Sequence, residues 1–287
     1  MNKYLFYLSG EHPTLPSSEV KGVLELLNLE YKIKKIENQI MITEISNWSP
    51  KIPKRLALTH RITKILGQGK KLKEAIKNSK LNFKGSYSVR TIKRSSELEA
   101  KAGKLIQKNN SNKLEVDLDN PEHKILIFYS TKKEEYYITK LIKKIDRGQF
   151  EERRAHLRPY QHPSSLHPRI SRALINIART AENEPVLDPM VGTAGILIEA
   201  GLLGHKCYGL DIEEKMIEGA RENLSKYVQN SLIHLKVGDA RKLNQIYEKN
   251  FKAIITDPPY GISTTTGETT REKLYQEVLE CIYKVLS

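Results

Sequence analysis

The tetrad Asp257-Pro258-Pro259-Tyr260 is the most specific chemical signal in this chain of 287 residues. It directly follows the run IIT, which ends a predicted strand. Two consecutive prolines fix the backbone and remove two N–H donors, so that carbonyl oxygens can face a ligand. A carboxylate and a carbonyl that accept both N–H bonds of an exocyclic amino group would hold its nitrogen in line for methyl transfer. Tyr260 would stack on the base. The alternative is a proline-rich strand exit without a catalytic role.

A glycine turn and further acidic residues follow the other predicted strands of this region. From Asp188 to Gly195 the sequence DPMVGTAG ends one strand and opens a helix, and glycine at Gly192 and Gly195 allows close approach of a ligand. The spacing is not GxGxxG, which argues against a nicotinamide cofactor. Asp211 could accept hydrogen bonds from ribose hydroxyls, and Asp239 could meet an adenine amino group. Either acid could instead cap the following helix, and the turn could be purely structural.

The elements that must position these residues alternate between strand and helix from Pro185 onward. Strand patterns at PVLDPM, KCYGLDI, SLIHLKVGD and FKAIITD alternate with helical patterns such as TAGILIEAGLL and EEKMIEGARENLSKY, and residues 271–286 form a last amphipathic helix. This alternation predicts a parallel, doubly wound sheet. Ligands bind such sheets at the carboxyl ends of the strands, and all the residues above fall there.

The first 145 residues have a different pattern, of short strands and basic helices. Residues 1–50 read as strand, helix and returning strands, a small α+β unit. Residues 51–145 form a second unit with a helix at LKEAIKNS, a strand at GSYSVRTIKR, a helix at SELEAKAGKLIQKNN capped by Ser95 or Ser96, and strand, turn and strand at KLEVDLDNPEHKILIFYS. Residues 146–163 are polar and poor in aliphatic side chains, which is typical of an interdomain linker.

Net charge points to a polyanionic partner. The chain carries a net charge of +14, and residues 60–113 hold fifteen Lys or Arg but three acids.

No apolar run is long enough for a membrane helix and the N-terminus is no signal peptide, so we expect a soluble, cytoplasmic protein. Cys207 and Cys281 are too few for a zinc cluster or disulfide framework, and we predict no metal site and buried packing for both. Five basic residues are the candidate nucleic-acid contacts: Arg90, Lys93, Arg94, Lys101 and Lys104.

The combination of these motifs resembles a known family. Asp-Pro-Pro-Tyr after the fourth strand looks like the amino-methyltransferase signature of class I S-adenosylmethionine (SAM) enzymes. YSVRTIKR, the helix after it and VDLDNPEHKILIFY resemble a THUMP domain preceded by a ferredoxin-like domain. The junction RRAHLRPYQHPSSLHPRISRALINIAR and the run DPPYGISTTTG are similar to the archaeal tRNA guanosine-10 N2-methyltransferase group. The resemblance covers nearly the whole chain.

The resemblance implies domains, a cofactor and a substrate. It implies a ferredoxin-like domain over 1–50, a THUMP domain over 51–145 and, after the linker, a Rossmann-like methyltransferase domain over 164–287 that methylates guanosine N2 in tRNA. Residues 164–166 would close over SAM. It assigns catalysis to Asp257, Pro258, Pro259 and Tyr260, and SAM binding to Asp188, Gly192, Gly195, Asp211 and Asp239.

Two departures from the family pattern create further expectations. The glycine turn has Met190, Val191 and Ala194 where relatives usually have Phe, Cys and Gly, and the methyl group of Ala194 is expected near the cofactor. The chain ends after the helix that follows strand four, so we expect an incomplete sheet that a longer chain or a protein partner completes.

Three other functions are compatible with parts of the sequence. A non-catalytic RNA-binding subunit would suit the altered glycine turn. A DNA adenine or cytosine amino-methyltransferase would suit the tetrad alone, although the THUMP-like half argues against DNA. A THUMP-containing thiouridine synthetase would need an ATP-pyrophosphatase loop, which the sequence lacks.

Overall fold

The computed structural model divides the chain into two compact units. It describes residues 1–81, 83–92, 95–110, 114–162, 165–248, 250–259 and 271–286, without the side chain of Arg271. The first unit comprises Met1–Ser17, Asn28–Lys54 and Thr59–Asp146. The second unit comprises Ser18–Leu27, Arg55–Leu58 and Arg147–Ser287. Within the described residues, no helix is both long and apolar enough to cross a membrane.

One eight-stranded sheet organises the first unit, in the order β2-β3-β1-β4-β8-β7-β5-β6. Its strands are β1 (Asn2–Leu8), β2 (Tyr31–Glu37), β3 (Ile40–Ile45), β4 (Thr59–Gly69), β5 (Gly85–Thr91), β6 (Leu114–Val116), β7 (His123–Ser130) and β8 (Glu135–Lys144). Because β1 pairs with β4, residues on both sides of the predicted boundary at 50 share this sheet. The predicted strand-turn-strand segment is present, but its two strands do not pair. Both β6 and β7 run parallel to β5, on opposite sides of it.

Helices α3 (Leu72–Lys77) and α4 (Ser96–Asn109) lie entirely within the first unit. Two further helices are divided between the units: α1 (Leu15–Leu26) belongs to the second unit from Ser18 onward, and α2 (Ile52–Arg55) belongs to it at Arg55. Ser95 caps α4, as predicted, because its side chain accepts a hydrogen bond from Leu98 N at 3.4 Å. Ala102 and Ile106 of α4 are fully buried against α3, β5 and β7. The opposite face of α4 is therefore left to polar and basic residues.

The second unit contains the predicted parallel, doubly wound sheet. Its strands are β9 (Pro185–Asp188), β10 (Lys206–Asp211), β11 (Ile233–Val237) and β12 (Ala253–Ile254), in the order β11-β10-β9-β12. Every pairing is parallel, so the carboxyl ends of the strands lie at one edge of the sheet. Among the described residues, β11 and β12 are the edge strands.

Helices pack on both faces of this sheet. They are α5 (Gly148–Glu151), α6 (Pro168–Ile177), α7 (Gly195–Gly201), α8 (Glu214–Tyr227), α9 (Leu243–Ile246) and α10 (Arg271–Val285). Side chains alternate along each strand, so Val186 and Cys207 pack with α6, α7 and α8, whereas Leu187 and Tyr208 pack with α9 and α10. Both cysteines are buried, as predicted.

A buried carboxylate explains why two short N-terminal segments belong to the second unit. Glu19 of α1 is fully buried and accepts hydrogen bonds from Ala57 N at 2.8 Å and Leu58 N at 2.9 Å. The amide of Asn176 on α6 donates to the same carboxylate at 2.9 Å. Burial raises the pKa of Glu19 to about 7. Its hydrogen bonds replace the water that this group loses.

Part of the segment predicted as a linker packs into the second unit. Phe150 is buried, and the guanidinium groups of Arg153 and Arg172 both lie over its ring. The buried carboxylate of Glu199 on α7 pairs with both, at 2.7 Å from Arg153 Nε and 2.7 Å from Arg172 Nη2. The polar composition of residues 146–163 suggested a solvent-exposed connection. Arg153 and Arg172 are instead buried, and Glu199 neutralises their charges. The domain boundaries at 145 and 163 stay predictions.

Candidate active site

Asp188 is the most deeply buried acid at the carboxyl edge of the sheet. It ends β9, is 2% exposed, and accepts a hydrogen bond from Met190 N at 3.2 Å. Burial raises its pKa to about 7, and the nearby charges of Asp211 and Asp257 act in the same direction. Three acids from three strands therefore interact at this edge.

The glycine turn after β9 combines left-handed backbone with open space. Gly192 has φ 48°, and a Cβ at this position would meet no atom within 4 Å. Gly195 differs, because a Cβ there would lie 2.6 Å from Ser165 Oγ and 3.2 Å from an Arg158 nitrogen. Gly192 thus borders a space that can admit a ligand, whereas Gly195 permits close packing of the 165–166 segment. Ser164 lies outside the described residues.

Ala194 occupies a conformation that favours glycine, with φ 64° and ψ 29°. It is the N-cap residue of α7. Its methyl group is fully buried in the apolar core of the second unit. The expectation that this methyl group lies near the cofactor stays a prediction.

Asp211 bridges the glycine turn and the start of α8. Its carboxylate accepts hydrogen bonds from Gly192 N at 2.8 Å and Glu213 N at 3.1 Å. The N-cap residue of α8 is Glu213, so Asp211 lies two positions before the cap. Asp211 therefore contacts the glycine turn after β9, the segment with which the sequence predicted it to share a ligand site. A ribose contact stays a prediction.

Asp239 is the N-cap residue of a short 3-10 helix, Ala240–Lys242, that directly precedes α9. Its side chain accepts a hydrogen bond from Arg241 N at 2.9 Å, and it forms an ion pair with the Arg241 guanidinium at 2.6 Å. The Arg241 hydrogen bond lowers the pKa of Asp239. The cap that we weighed as the alternative is therefore present, and an adenine contact stays a prediction.

The Asp257-Pro258-Pro259 segment leaves β12 beside β9. Ile255 N donates to Leu187 O at 2.9 Å, which extends the pairing beyond the strand itself. Asp257 is partly buried, and its negative charge contributes to the raised pKa of Asp188. The hydroxyl of Tyr275, on α10, donates to the carbonyl oxygen of Pro259 at 2.7 Å. Tyr260, predicted to stack on the base, lies outside the described residues.

The predicted RNA contacts are exposed where the structure describes them. Lys101 and Lys104 lie on α4, away from its buried face. Arg90 is 44% exposed at its side chain and lies 3.5 Å from Glu99. Lys93 and Arg94 lie outside the described residues.

Comparisons with known proteins identify the family. A family model described as an RMKL-like methyltransferase domain (UPF0020) matches residues 155–287. The tRNA (guanine(10)-N2)-dimethyltransferase of Pyrococcus abyssi is 36% identical over 98% of this chain and 86% of its own length. The chain belongs to the tRNA (guanine(10)-N2)-dimethyltransferase family. The member from Methanothermobacter thermautotrophicus is 34% identical over 98% of this chain and 84% of its own.

A solved structure supports the fold independently of sequence. TrmN from Thermus thermophilus has a TM-score of 0.55 and covers 99% of this chain and 86% of its own, at 21% identity. At this identity the likeness concerns fold alone, an α/β methyltransferase fold with a large mixed sheet. The recognised family and the predicted methyltransferase fold are both confirmed.

Sequence reasoning missed a buried amide that holds the glycine turn. Asn223 of α8 is fully buried, and its side chain donates to Thr193 O at 3.1 Å and to Tyr160 O at 3.0 Å. It also accepts from Tyr160 N at 2.9 Å. The ring of Tyr160 lies against Gly219, where a Cβ would come within 2.4 Å. One feature of the sequence could have indicated this role: Asn223 lies beside Leu224 on the apolar face of a predicted helix, where a polar side chain needs buried hydrogen-bond partners.

Proposed function

We propose that this chain methylates the exocyclic N2 amino group of guanosine 10 in tRNA, with SAM as methyl donor. One observation carries the proposal: Asp257 and the two prolines follow β12, the strand that pairs in parallel with β9, and the open glycine turn follows β9. The 36% identity to a tRNA (guanine(10)-N2)-dimethyltransferase over 98% of the chain supports the same substrate.

The residues around the glycine turn fit the proposed cofactor. The open space at Gly192 can admit a ligand close to the backbone. Asp211 would bind the ribose hydroxyls, Asp239 the adenine amino group, and Asp188 and Gly195 would complete the turn. SAM, when bound, supplies an electrophilic methyl group. The protein's own contribution is to hold that group and to keep the turn in its left-handed conformation.

The tetrad would orient the amino group. The amino nitrogen of guanine is a poor nucleophile because its lone pair is conjugated with the ring. The Asp257 carboxylate and the Pro258 carbonyl would accept its two N–H bonds and stabilise the positive charge that develops on nitrogen. The Pro259 carbonyl already accepts the Tyr275 hydroxyl, so Pro258 is the proline whose carbonyl we assign to substrate. Tyr260 would stack on the extruded base.

The front half would bind tRNA. We assign residues 1–50 to a ferredoxin-like domain and 51–145 to a THUMP domain, whose strands share one sheet. The exposed α4 lysines and Arg90 would contact phosphates. Changing Lys101 and Lys104 to Ala should weaken tRNA binding and lower the salt slope of log K by about one per lost contact. An unchanged slope would exclude α4 from the RNA surface.

The decisive experiment uses the purified chain with labelled SAM and tRNA transcripts. We expect label at nucleotide 10 of a G10 transcript and none there in an otherwise identical A10 transcript. Mass analysis of the nucleosides distinguishes one added methyl group from two. Binding of tRNA without methylation, together with no calorimetric signal for SAM, would favour the RNA-binding subunit or a missing partner. Methylation of adenine or cytosine in DNA would contradict the proposal.

A further inference from the structure

We propose that Tyr275 is a positioning residue for the catalytic segment, and this inference rests on the proposed function of that segment. The Tyr275 hydroxyl donates to the carbonyl oxygen of Pro259 at 2.7 Å, across 16 positions of the chain. Neither proline can donate a backbone hydrogen bond, so an accepting carbonyl is the one backbone group through which Pro259 can be held by hydrogen bonding. Tyr275 uses that group.

The helix that carries Tyr275 is itself firmly attached to the sheet. On α10, Val278, Cys281 and Val285 are buried, and the latter two pack with Leu187 and Phe251 in one cluster. Val278 is one helical turn from Tyr275. The tyrosine hydroxyl therefore projects from a fixed helix and not from a loop.

The same helix contacts the segment that carries Asp239. The Cys281 thiol donates to Arg241 O at 2.9 Å, and Glu277 lies 3.8 Å from the Arg241 guanidinium. Arg241 in turn pairs with Asp239. Helix α10 thus contacts both the predicted adenine side and the exit of the tetrad, which fixes one relative to the other.

The hydrogen bond also bears on which carbonyl would accept from the substrate. Because one lone pair of the Pro259 oxygen already accepts from Tyr275, we assign the amino group to the Asp257 carboxylate and the Pro258 carbonyl. Loss of the Tyr275 hydroxyl would let the Pro259 peptide rotate and misalign its neighbours. Because misplacement of positioned groups lowers turnover more than ground-state binding, the effect should appear in kcat.

The test compares Tyr275→Phe with Tyr283→Phe, on the same helix. Tyr283 is 84% exposed and serves as the matched control. We expect Tyr275→Phe to lower kcat about threefold to tenfold, which corresponds to the loss of one hydrogen bond. The KM for SAM and the KM for tRNA should stay within about twofold of wild type. Tyr283→Phe should match wild type in kcat and in both KM values. An unchanged kcat in Tyr275→Phe, or a loss confined to KM, overturns the proposal.

A second readout does not depend on methylation. Hydrogen exchange of peptides covering residues 250–257, which lead into the two prolines, should be faster in Tyr275→Phe than in wild type and in Tyr283→Phe, while peptides covering α7 and β10 exchange equally in all three. Equal exchange over 250–257 overturns the anchoring, whatever happens to the rate. If wild type fails to methylate tRNA, the proposed function falls, and the exchange comparison still decides whether Tyr275 holds the segment.

Discussion

Two halves of the candidate site lie at the ends of adjacent strands, and they are held in different ways. After β9, two hydrogen bonds hold the glycine turn. Gly192 N donates to the Asp211 carboxylate, and the buried side-chain amide of Asn223 donates to Thr193 O. After β12, the segment is fixed by two prolines and the Tyr275 hydroxyl. The first half is therefore held by side chains of β10 and α8, and the described part of the second by a side chain of α10.

This difference predicts separate consequences for substitutions in each half. Changes after β12 should act on turnover and leave the affinity for SAM intact. Changes after β9 and β10 should act on the affinity for SAM, or on stability where the group is buried. A substitution after β12 that weakens SAM binding, or one after β9 or β10 that lowers turnover alone, would contradict this division.

The largest effect should come from Asp257→Ala. It removes the carboxylate that would stabilise the developing charge on nitrogen, and we expect kcat to fall by about a hundredfold to a thousandfold. The Kd values for SAM and tRNA should stay within about threefold of wild type, measured by calorimetry and filter binding. Asp257→Asn, which keeps one acceptor oxygen, should lose less. Full activity in Asp257→Ala would refute the assignment of the tetrad.

A smaller effect should follow from Asp211→Asn. The substitution keeps the shape of the side chain but removes its charge and one acceptor, so a charge-assisted hydrogen bond to ribose is lost. We expect the Kd for SAM to rise about tenfold to a hundredfold, with kcat at saturating SAM changed little. Calorimetric titration of SAM measures the first and a methylation assay the second. An unchanged Kd would limit Asp211 to its bonds with Gly192 and Glu213.

Asp188 provides a prediction about pH. Its pKa is about 7 when folded, against an ordinary value of 3.8. Between these values the unfolded chain loses a proton that the folded chain keeps, so this group's contribution to stability falls as pH rises, by up to about 1.4 kcal/mol per pH unit. In Asp188→Asn the unfolding free energy should therefore decline less from pH 4 to pH 7, as measured by urea unfolding.

Asp239→Asn is the matched control for this measurement. The pKa of Asp239 is lowered in the folded protein, so its contribution to stability is lost as pH falls below about 5, where the unfolded chain begins to bind a proton. The slope between pH 5 and pH 7 should be that of wild type. Glu19, whose pKa is also raised, is present in both variants and cancels from the comparison. Identical slopes in Asp188→Asn and wild type would show that Asp188 does not titrate in this range.

The sequence predicted the site where residue type and chain position determine it locally. Strand periodicity places Asp188 and Asp211 at strand ends, and parallel pairing brings those ends together, which the bond between Asp211 and Gly192 confirms as a contact. Tyr275 and Asn223 were missed, because periodicity places each on a helix but does not reveal the carbonyl, far along the chain, that its side chain contacts. The packed arginines of the supposed linker were missed for the same reason: their acid partner, Glu199, lies in an apolar helix.

The smallest effect should come from Ala194→Gly, which tests how firmly the glycine turn is set. Glycine would relieve a left-handed conformation that costs an L-residue about 1–2 kcal/mol, but it would also lose a buried methyl group worth about 0.8 kcal/mol and add chain entropy. These contributions oppose one another, so the unfolding free energy should change by less than about 1 kcal/mol. Ala200→Gly, fully buried in α7 with no such strain, should lose about 1.3–1.8 kcal/mol. Equal losses in urea unfolding would mean that the turn carries no strain at Ala194, and that its shape comes entirely from the hydrogen bonds of Asp211 and Asn223.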